Sequence, residues 1–424
     1  MEFSNTRLLR LKGCSPSAAP QGRAMLLLNA KMGSSVLLTV FCLLTPLHAA
    51  TVSDLSLKNM DFAMNLYRRI ASYHDKNIFL SPLSVSAGFT ALLMASAGDT
   101  RQEILRGLNL EQLEEAERPE AIPQLFQLLH HNISGNGSLK LEQSTAIFVR
   151  QHFNIEKEFQ DNMRKFFNAE IKTLDFSNTE GSVSFINEYV KRQTADKVTD
   201  MISDLDEFTQ LLLVNTIFFQ GDWEMPFDPN LTQNAPFHID NYNIVQVPMM
   251  FLDDEFYTME DVPLGAKVLK LPYREGVSML ILLPNKGRDY TEIDDEISAE
   301  RFQSWIQKLR KIKLEVNMPK FKMEQSYPLQ KILPDLGISS VFTNAANLSR
   351  LSQDGGLKVS KVLHKAVIEV DETGTMAAAV TRIGIIPYSL PRTFTVNRPF
   401  FFFIYHEDTS CLLFMGRVID PTKY

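Results

Sequence analysis

Residues able to do chemistry are present in this chain of 424 residues, but not at the spacings that enzymes use. No G-x-S-x-G elbow, H-E-x-x-H pair, phosphate-binding loop or paired C-x-x-C occurs. His364 stands in VLHKAV beside Lys365, with no carboxylate near it in sequence to orient it. A hydrogen-bonding structural role is expected for it. His130-His131 adjoin two glycosylation sequons and read as solvated surface. Asp294-Asp295 are adjacent, so their side chains diverge, and a solvated acidic surface is expected. Cys411 lies inside CLLFMG and reads as a buried small hydrophobe. The basic cluster Lys308, Arg310, Lys311 and Lys313 offers charge for a sulfated polysaccharide such as heparin. A charged helix end is the plainer reading. No catalytic residue, metal ligand set or cofactor is expected.

One segment stands apart. Residues 371–393 read DETGTMAAAVTRIGIIPYSLPRT and join two strand-like runs. A connection this long is usually functional or disordered.

In this segment, and along nearly all of residues 51–424, the chain resembles the serpin family. The resemblance runs through NIFLSPLSVSAGFTALLMASAGDTRQEIL (77–105), NTIFFQGDWEMPF (215–227) and VLKLPY (268–273). It continues through MPKFKM (318–323), LGISSVF (336–342), KAVIEVDETGT (365–375) and NRPFFFFIYHEDTSCLLFMGRVIDP (397–421). It implies an α+β fold: a helical first half packed on large mixed sheets, with an exposed reactive loop at about 372–391. It also implies that the loop is cut by a serine protease and then inserts as a new strand in the central sheet. The hinge is then Glu372, Gly374, Thr375, Ala377, Ala378 and Ala379. In the family the hinge glycine precedes the cut by fourteen residues, which places the reactive bond at Tyr388-Ser389.

The composition of the segment suits that role. An inserting strand alternates faces. Thr375, Ala377, Ala379, Thr381, Ile383 and Ile385 form one face, small and then β-branched. Met376, Ala378, Val380, Arg382, Gly384 and Ile386 form the other, so the one charge stays outside. Met376 stands where the family commonly has an acid. No proline interrupts 374–386. Fourteen inserted residues at ~3.3 Å each span ~46 Å.

Tyr388 suits a protease with an apolar primary pocket, such as a chymotrypsin-like or cathepsin G-like enzyme. Within the family, the resemblance implies a branch acting on coagulation factor Xa with protein Z on a membrane, and on factor XIa without it. A poor primary residue is consistent with binding energy supplied by a cofactor. The resemblance places protein Z contacts at Phe251, where the branch has tyrosine, and at Asp295. The rival readings are a cofactor-independent inhibitor and a non-inhibitory carrier of a hydrophobic ligand.

The elements that must hold the segment are legible as patterns. Asp54–His74 places Phe62, Leu66, Ile70 and Tyr73 on one apolar helical face, opposite Arg68 and Arg69. Ser81-Pro82 opens a buried helix that Gly98 ends, and Thr100–Glu103 fits a capping box for the next one. The continuous apolar run 211–220 predicts a strand covered on both faces. Further strands are expected at 268–271, 277–283, 314–318, 362–370, 394–405 and 411–418. Phe400–Phe403 reads as core.

Residues 36–44, VLLTVFCLL, follow Lys31 and precede Ala49-Ala50. A basic flank, a short apolar run and small residues describe a secretory signal within a leader spanning 1–50. That leader holds five Lys/Arg and one acidic residue. Of 43 basic and 50 acidic residues, residues 51–424 therefore keep 38 and 49, net −11. Such a surface argues against nucleic acid as a partner. Sequons at Asn132, Asn136, Asn230 and Asn347 fit an extracellular glycoprotein.

Overall fold

Residues 50–133, 140–373 and 392–423 are described by a computed structural model. The first helix, α1 (Val52–Ala71), is started by a capping box between Thr51 and Asp54. It buries Phe62, Leu66 and Ile70. Tyr73 falls beyond the last turn and is exposed, contrary to the expected apolar face. Its hydroxyl instead donates to Asp335. A short strand β1 (Ile78–Leu80) leads into α2 (Pro82–Ala95), capped by Ser81 and buried on nearly every side.

The next boundary differs from the sequence reading. Gly98 opens α3 (Gly98–Gly107) instead of closing α2, and Thr100 lies inside the helix. The residues of the expected capping box turn outward to another segment. Glu103 accepts from the Ser339 and Ser340 amides, and the Thr100 hydroxyl accepts from the Asn347 amide.

Helices α4 (Ala121–Ile133), α5 (Lys157–Phe167) and α6 (Thr179–Gln193) alternate with two strands the sequence reading missed, β2 (Lys140–Arg150) and β3 (Glu170–Leu174). Then come β4 (Leu211–Gln220), β5 (Gln233–His238), β6 (Ile244–Asp261), β7 (Ala266–Pro272) and β8 (Val277–Pro284). Helices α7 (Tyr290–Glu296) and α8 (Ala299–Lys308) precede β9 (Arg310–Pro319), β10 (Phe321–Pro328) and the one-turn α9 (Leu329–Ile332). The chain continues through β11 (Val359–Val370), β12 (Thr393–Thr395), β13 (Phe400–His406) and β14 (Cys411–Val418). The single strand expected over 394–405 is thus two, separated by Val396-Asn397-Arg398-Pro399. Proline cannot donate to a ladder.

Two sheets result. A nine-stranded sheet runs β1-β14-β13-β8-β7-β6-β9-β12, with β5 also on β6. Its centre is the aromatic run: Phe400–Phe403 are buried, and Phe79 stacks between Phe402 and Phe414. Gly416 permits the close approach of β1, since a Cβ there would sit 2.4 Å from the Ile78 carbonyl oxygen. The five-stranded sheet runs β10-β11-β4-β2-β3. In β4, Leu211, Leu213, Ile217 and Phe219 face the main core, while Leu212, Val214 and Phe218 face Ile186, Tyr189 and Val190 of α6. Both faces are covered, as the unbroken apolar run predicted.

Asp294 is not surface. It is buried, accepts from Tyr67 at 2.5 Å, and pairs with the buried Arg417. Asp295 beside it is exposed. A seven-residue helix packed at one side sends adjacent residues to opposite environments.

Candidate functional site

The site is the middle of the five-stranded sheet and the two points where the chain leaves and regains the described structure. β10 and β2 pair antiparallel with β11 and β4 respectively, but β11 and β4 run parallel, from Val359 opposite Leu211 to Ile368 opposite Phe219. The 374–391 segment departs from the end of β11. A chain turning back there runs antiparallel to both β11 and β4.

The departure point is anchored tightly. The Glu372 carbonyl accepts from the Phe227 amide at 2.9 Å, and the Asp371 carbonyl accepts from Trp223 Nε1 at 2.9 Å. The Trp223 ring stacks on Tyr273 at 4.0 Å. The Glu372 carboxylate is buried and accepts from Lys320 Nζ and Thr232 Oγ1, both at 2.7 Å. Burial pushes its pKa up, but those donors outweigh burial and leave it below the usual carboxylate range. At the far end, Arg392 accepts from the Glu315 amide and β12 lies parallel to β9. Residues 374–391 therefore connect one sheet to the other.

Midway down the parallel pair lies a polar cluster. His364 Nε2 accepts from the Ser81 amide at 3.2 Å, so its Nδ1 carries the proton and donates to Asn215 Oδ1 at 3.2 Å. Ser84 Oγ bonds the same oxygen, and Asn215 Nδ2 donates to Ser84 O and Thr145 Oγ1. The cluster ties β11 and β4 to the start of α2. With both ring nitrogens engaged, His364 has none to offer as a base. Burial holds its pKa down at about 3, so it is neutral at physiological pH.

A pH dependence follows. His364 takes up a proton near 6.5 when unfolded and only near 3 when folded. The unfolded chain binds more protons in between, so stability is complete above pH 6.5 and falls as pH drops. From pH 7.4 to 5.5 this one group should cost about 1 kcal/mol. Urea unfolding at both pH values should show that loss in the native chain and a smaller one in His364→Gln. An equal loss in both would remove His364 as its source.

Of the sequence-predicted site residues, Glu372 is placed at the anchor. Gly374, Thr375, Ala377, Ala378, Ala379, Tyr388 and Ser389 lie outside the described residues, as do Asn136 and the leader. Asn132, Asn230 and Asn347 are exposed. Phe251 is half-buried on β6 opposite Asn317 of β9. Asp295 lies in the last turn of α7 beside Glu296, which pairs with Arg301, itself paired with Asp261 at the end of β6. Phe251 is ten residues back along that strand, roughly 30 Å. In the basic cluster, Lys311 pairs with Glu255 and Lys313 with Asp253 across β9–β6, so two of its four cations face a carboxylate. The reading from sequence missed Lys320, Thr232, Trp223 and Asn215. Each acts through a partner remote in sequence; Lys320, Trp223 and Asn215 lay within quoted motifs, and Thr232 did not.

Comparison with known proteins agrees with this architecture. The family model described as Serpin (serine protease inhibitor) matches residues 57–421. Protein Z-dependent protease inhibitor of Mus musculus is 36% identical over 370 residues, covering 87% of this chain and 82% of that protein. The crystal structure of the mouse protein superposes with a TM-score of 0.82 at 35% identity, covering 87% of this chain and 98% of that one. Human thyroxine-binding globulin, solved with its hormone, also gives 0.82, at 33% identity, covering 88% and 100%. Among the described residues, no helix is long and apolar enough to cross a membrane.

Proposed function

The chain belongs to the serpin family, and we propose that it is a secreted suicide-substrate inhibitor of serine proteases, cut at Tyr388-Ser389. The observation that carries this reading is the parallel β4–β11 pair with the 374–391 segment leaving from its end. Parallel pairing is slightly weaker per residue than antiparallel. Inserting a strand between them replaces one parallel ladder by two antiparallel ones. The alternation of 375–386 supplies that strand with a small, charge-free inner face. The protease serine attacks the Tyr388 carbonyl and the Ser389 amine leaves, so that an ester joins the protease to Tyr388 and the segment is freed. Fourteen residues of insertion carry the acyl-enzyme ~46 Å before water releases it.

Members of this family also serve as carriers, and thyroxine-binding globulin is similar here. The inner face favours inhibition, because its six positions hold only small or β-branched uncharged residues. The similarity to protein Z-dependent inhibitors supports factor Xa, with protein Z docked through Phe251 and Asp295, as target and partner, and factor XIa as a second target. Heparin has weaker support, given the pairing of Lys311 and Lys313. Residues 1–50 serve as the leader, residues 51–424 form the inhibitor body, and the four sequons carry its glycans.

The test is direct. The chain is incubated with factor Xa, protein Z, calcium and phospholipid, and separately with chymotrypsin, then run on denaturing gels. A covalent band should appear in the native chain and vanish in Tyr388→Ala. Cleavage without a stable complex would overturn the inhibitor reading. A band with chymotrypsin alone would overturn only the protein Z assignment.

A further inference from the structure

One large apolar side chain is held out into solvent just before β4. Phe208 is 76% exposed, although the turn that carries it is firmly braced. Its amide donates to Asp206 Oδ1 at 2.8 Å, and the Thr209 amide donates to the Asp206 carbonyl at 3.0 Å. Arg150 of β2 closes the turn. Its Nε donates to the Thr209 carbonyl at 2.9 Å, and its Nη2 donates to the Glu207 carbonyl. The Gln210 amide, next in the chain, donates to Ser360 Oγ of β11 at 2.9 Å. The turn is thus fixed to β2 and β11, and a contact through it pays little ordering entropy. Asp204, Asp206 and Glu207 beside Phe208 are exposed. The cations nearest them are Arg150, spent on carbonyls, and Lys361, 3.8 Å from Asp204. An aromatic ring in an acidic surround results.

We propose that this turn is a second specificity determinant, read after acylation: Phe208 touches the displaced protease and prolongs the covalent complex. The proposal rests on the insertion reading above. β11 ends at Val370, and Ile368 lies opposite Phe219 of β4. A segment that turns over 371–373 sets Gly374 beside Val370, two residues past that pair and so level with Gly221. Neighbouring strands share nearly the same rise, so fourteen residues of insertion bring Tyr388 level with Glu207. The ester joining Tyr388 to the protease is then delivered to the braced turn. The same ~46 Å that insertion covers separates the protease from the turn before the segment moves. A contact made only by the displaced protease favours its trapped state by that difference in affinity. Aromatic side chains are enriched at the centres of such contacts. The partner this surface fits is a serine protease with an apolar patch bordered by cations beside its active-site cleft. Tyr388 then selects which protease cuts, and Phe208 selects which cut protease stays.

The full chain is made with the photoreactive residue p-benzoylphenylalanine at position 208. It is mixed with the protease that gives the native chain its covalent band. A second arm uses that protease with its catalytic serine replaced by alanine, which binds the uncut segment and cannot be acylated. Irradiation should join position 208 to the protease in the first arm and not in the second. No crosslink in the first arm, or equal crosslinking in both, overturns the proposal. Phe208→Ala measures the consequence. The ring is exposed and the turn is braced by backbone groups, Asp206 and Arg150, so the substitution leaves the fold in place. Association rate and initial band yield should match the native chain, and the covalent complex should decay several-fold faster, read as protease activity regained. An unchanged decay overturns the role of Phe208, and a slowed association places its contact before cleavage and overturns it too. Absence of a covalent band in the native chain and every variant overturns the inhibitor reading instead.

Discussion

Replacing Thr375 by arginine should leave the chain folded and convert it from inhibitor to substrate. Thr375 is the first inward position after Gly374, so insertion must carry its side chain over the core beneath β4 and β11. An uncompensated buried charge costs ~3–5 kcal/mol. If most of that cost is felt in the transition state for insertion, the step slows by roughly two to three orders of magnitude. Deacylation is untouched, because it depends on the protease, and therefore wins the competition. The expected result is complete cleavage at Tyr388-Ser389 with almost no covalent band. Met376→Arg is the matched control. It places the same cation on the opposite face, which already bears Arg382, and should retain most of the complex. Equal loss in both variants would show that insertion does not discriminate the two faces, and loss in Met376→Arg alone would show that the faces are reversed. An undiminished yield in Thr375→Arg would remove Thr375 from the inserted strand.

The sequence was most readable where one residue's environment follows from its neighbours. The run Leu211–Gln220 announced a strand covered on both sides, and α6 on one face with the main core on the other explain why. Phe400–Phe403 announced core and is core. Local patterns misled where a side chain serves a distant partner. Thr100 and Glu103 have the spacing of a cap, yet they bind the 339–347 segment, and α3 begins at Gly98 without a side-chain cap. β2 and β3 were missed because polar residues interrupt them and their pairing partners are elsewhere in the chain. The site divides in the same way. The hinge and cut were expected from composition, spacing and resemblance, and apart from Glu372 they lie outside the described residues. The anchor of Lys320, Thr232 and Trp223 depends on the fold bringing three separate segments to one carboxylate and one carbonyl. The parallel pairing of β4 with β11 is a property of topology that neither strand displays alone.

Removing the Asp294 carboxylate should destabilise the chain more than any other single change considered. Arg417 is 1% exposed, and its guanidinium pairs with Asp294 while donating to the His74 and Lys76 carbonyls. Tyr67 closes the cluster from α1. The group joins α1, α7 and β14. Asp294→Ala leaves the guanidinium buried without a counter-charge, at an expected cost of ~3–5 kcal/mol. That cost should appear as a lower urea midpoint with unchanged slope. The cost reflects the orphaned charge, not a large net value of the pair, because buried pairs often repay little more than their own desolvation. The double variant Asp294→Leu/Arg417→Met should therefore recover much of the loss. Asp295→Ala should leave the midpoint in place, since that carboxylate is exposed. If protein Z docks as proposed, Asp295→Ala should instead slow factor Xa inhibition only when protein Z is present. Two adjacent acids thus separate folding from partner binding. A lowered midpoint in Asp295→Ala, or an unchanged one in Asp294→Ala, would reverse their roles.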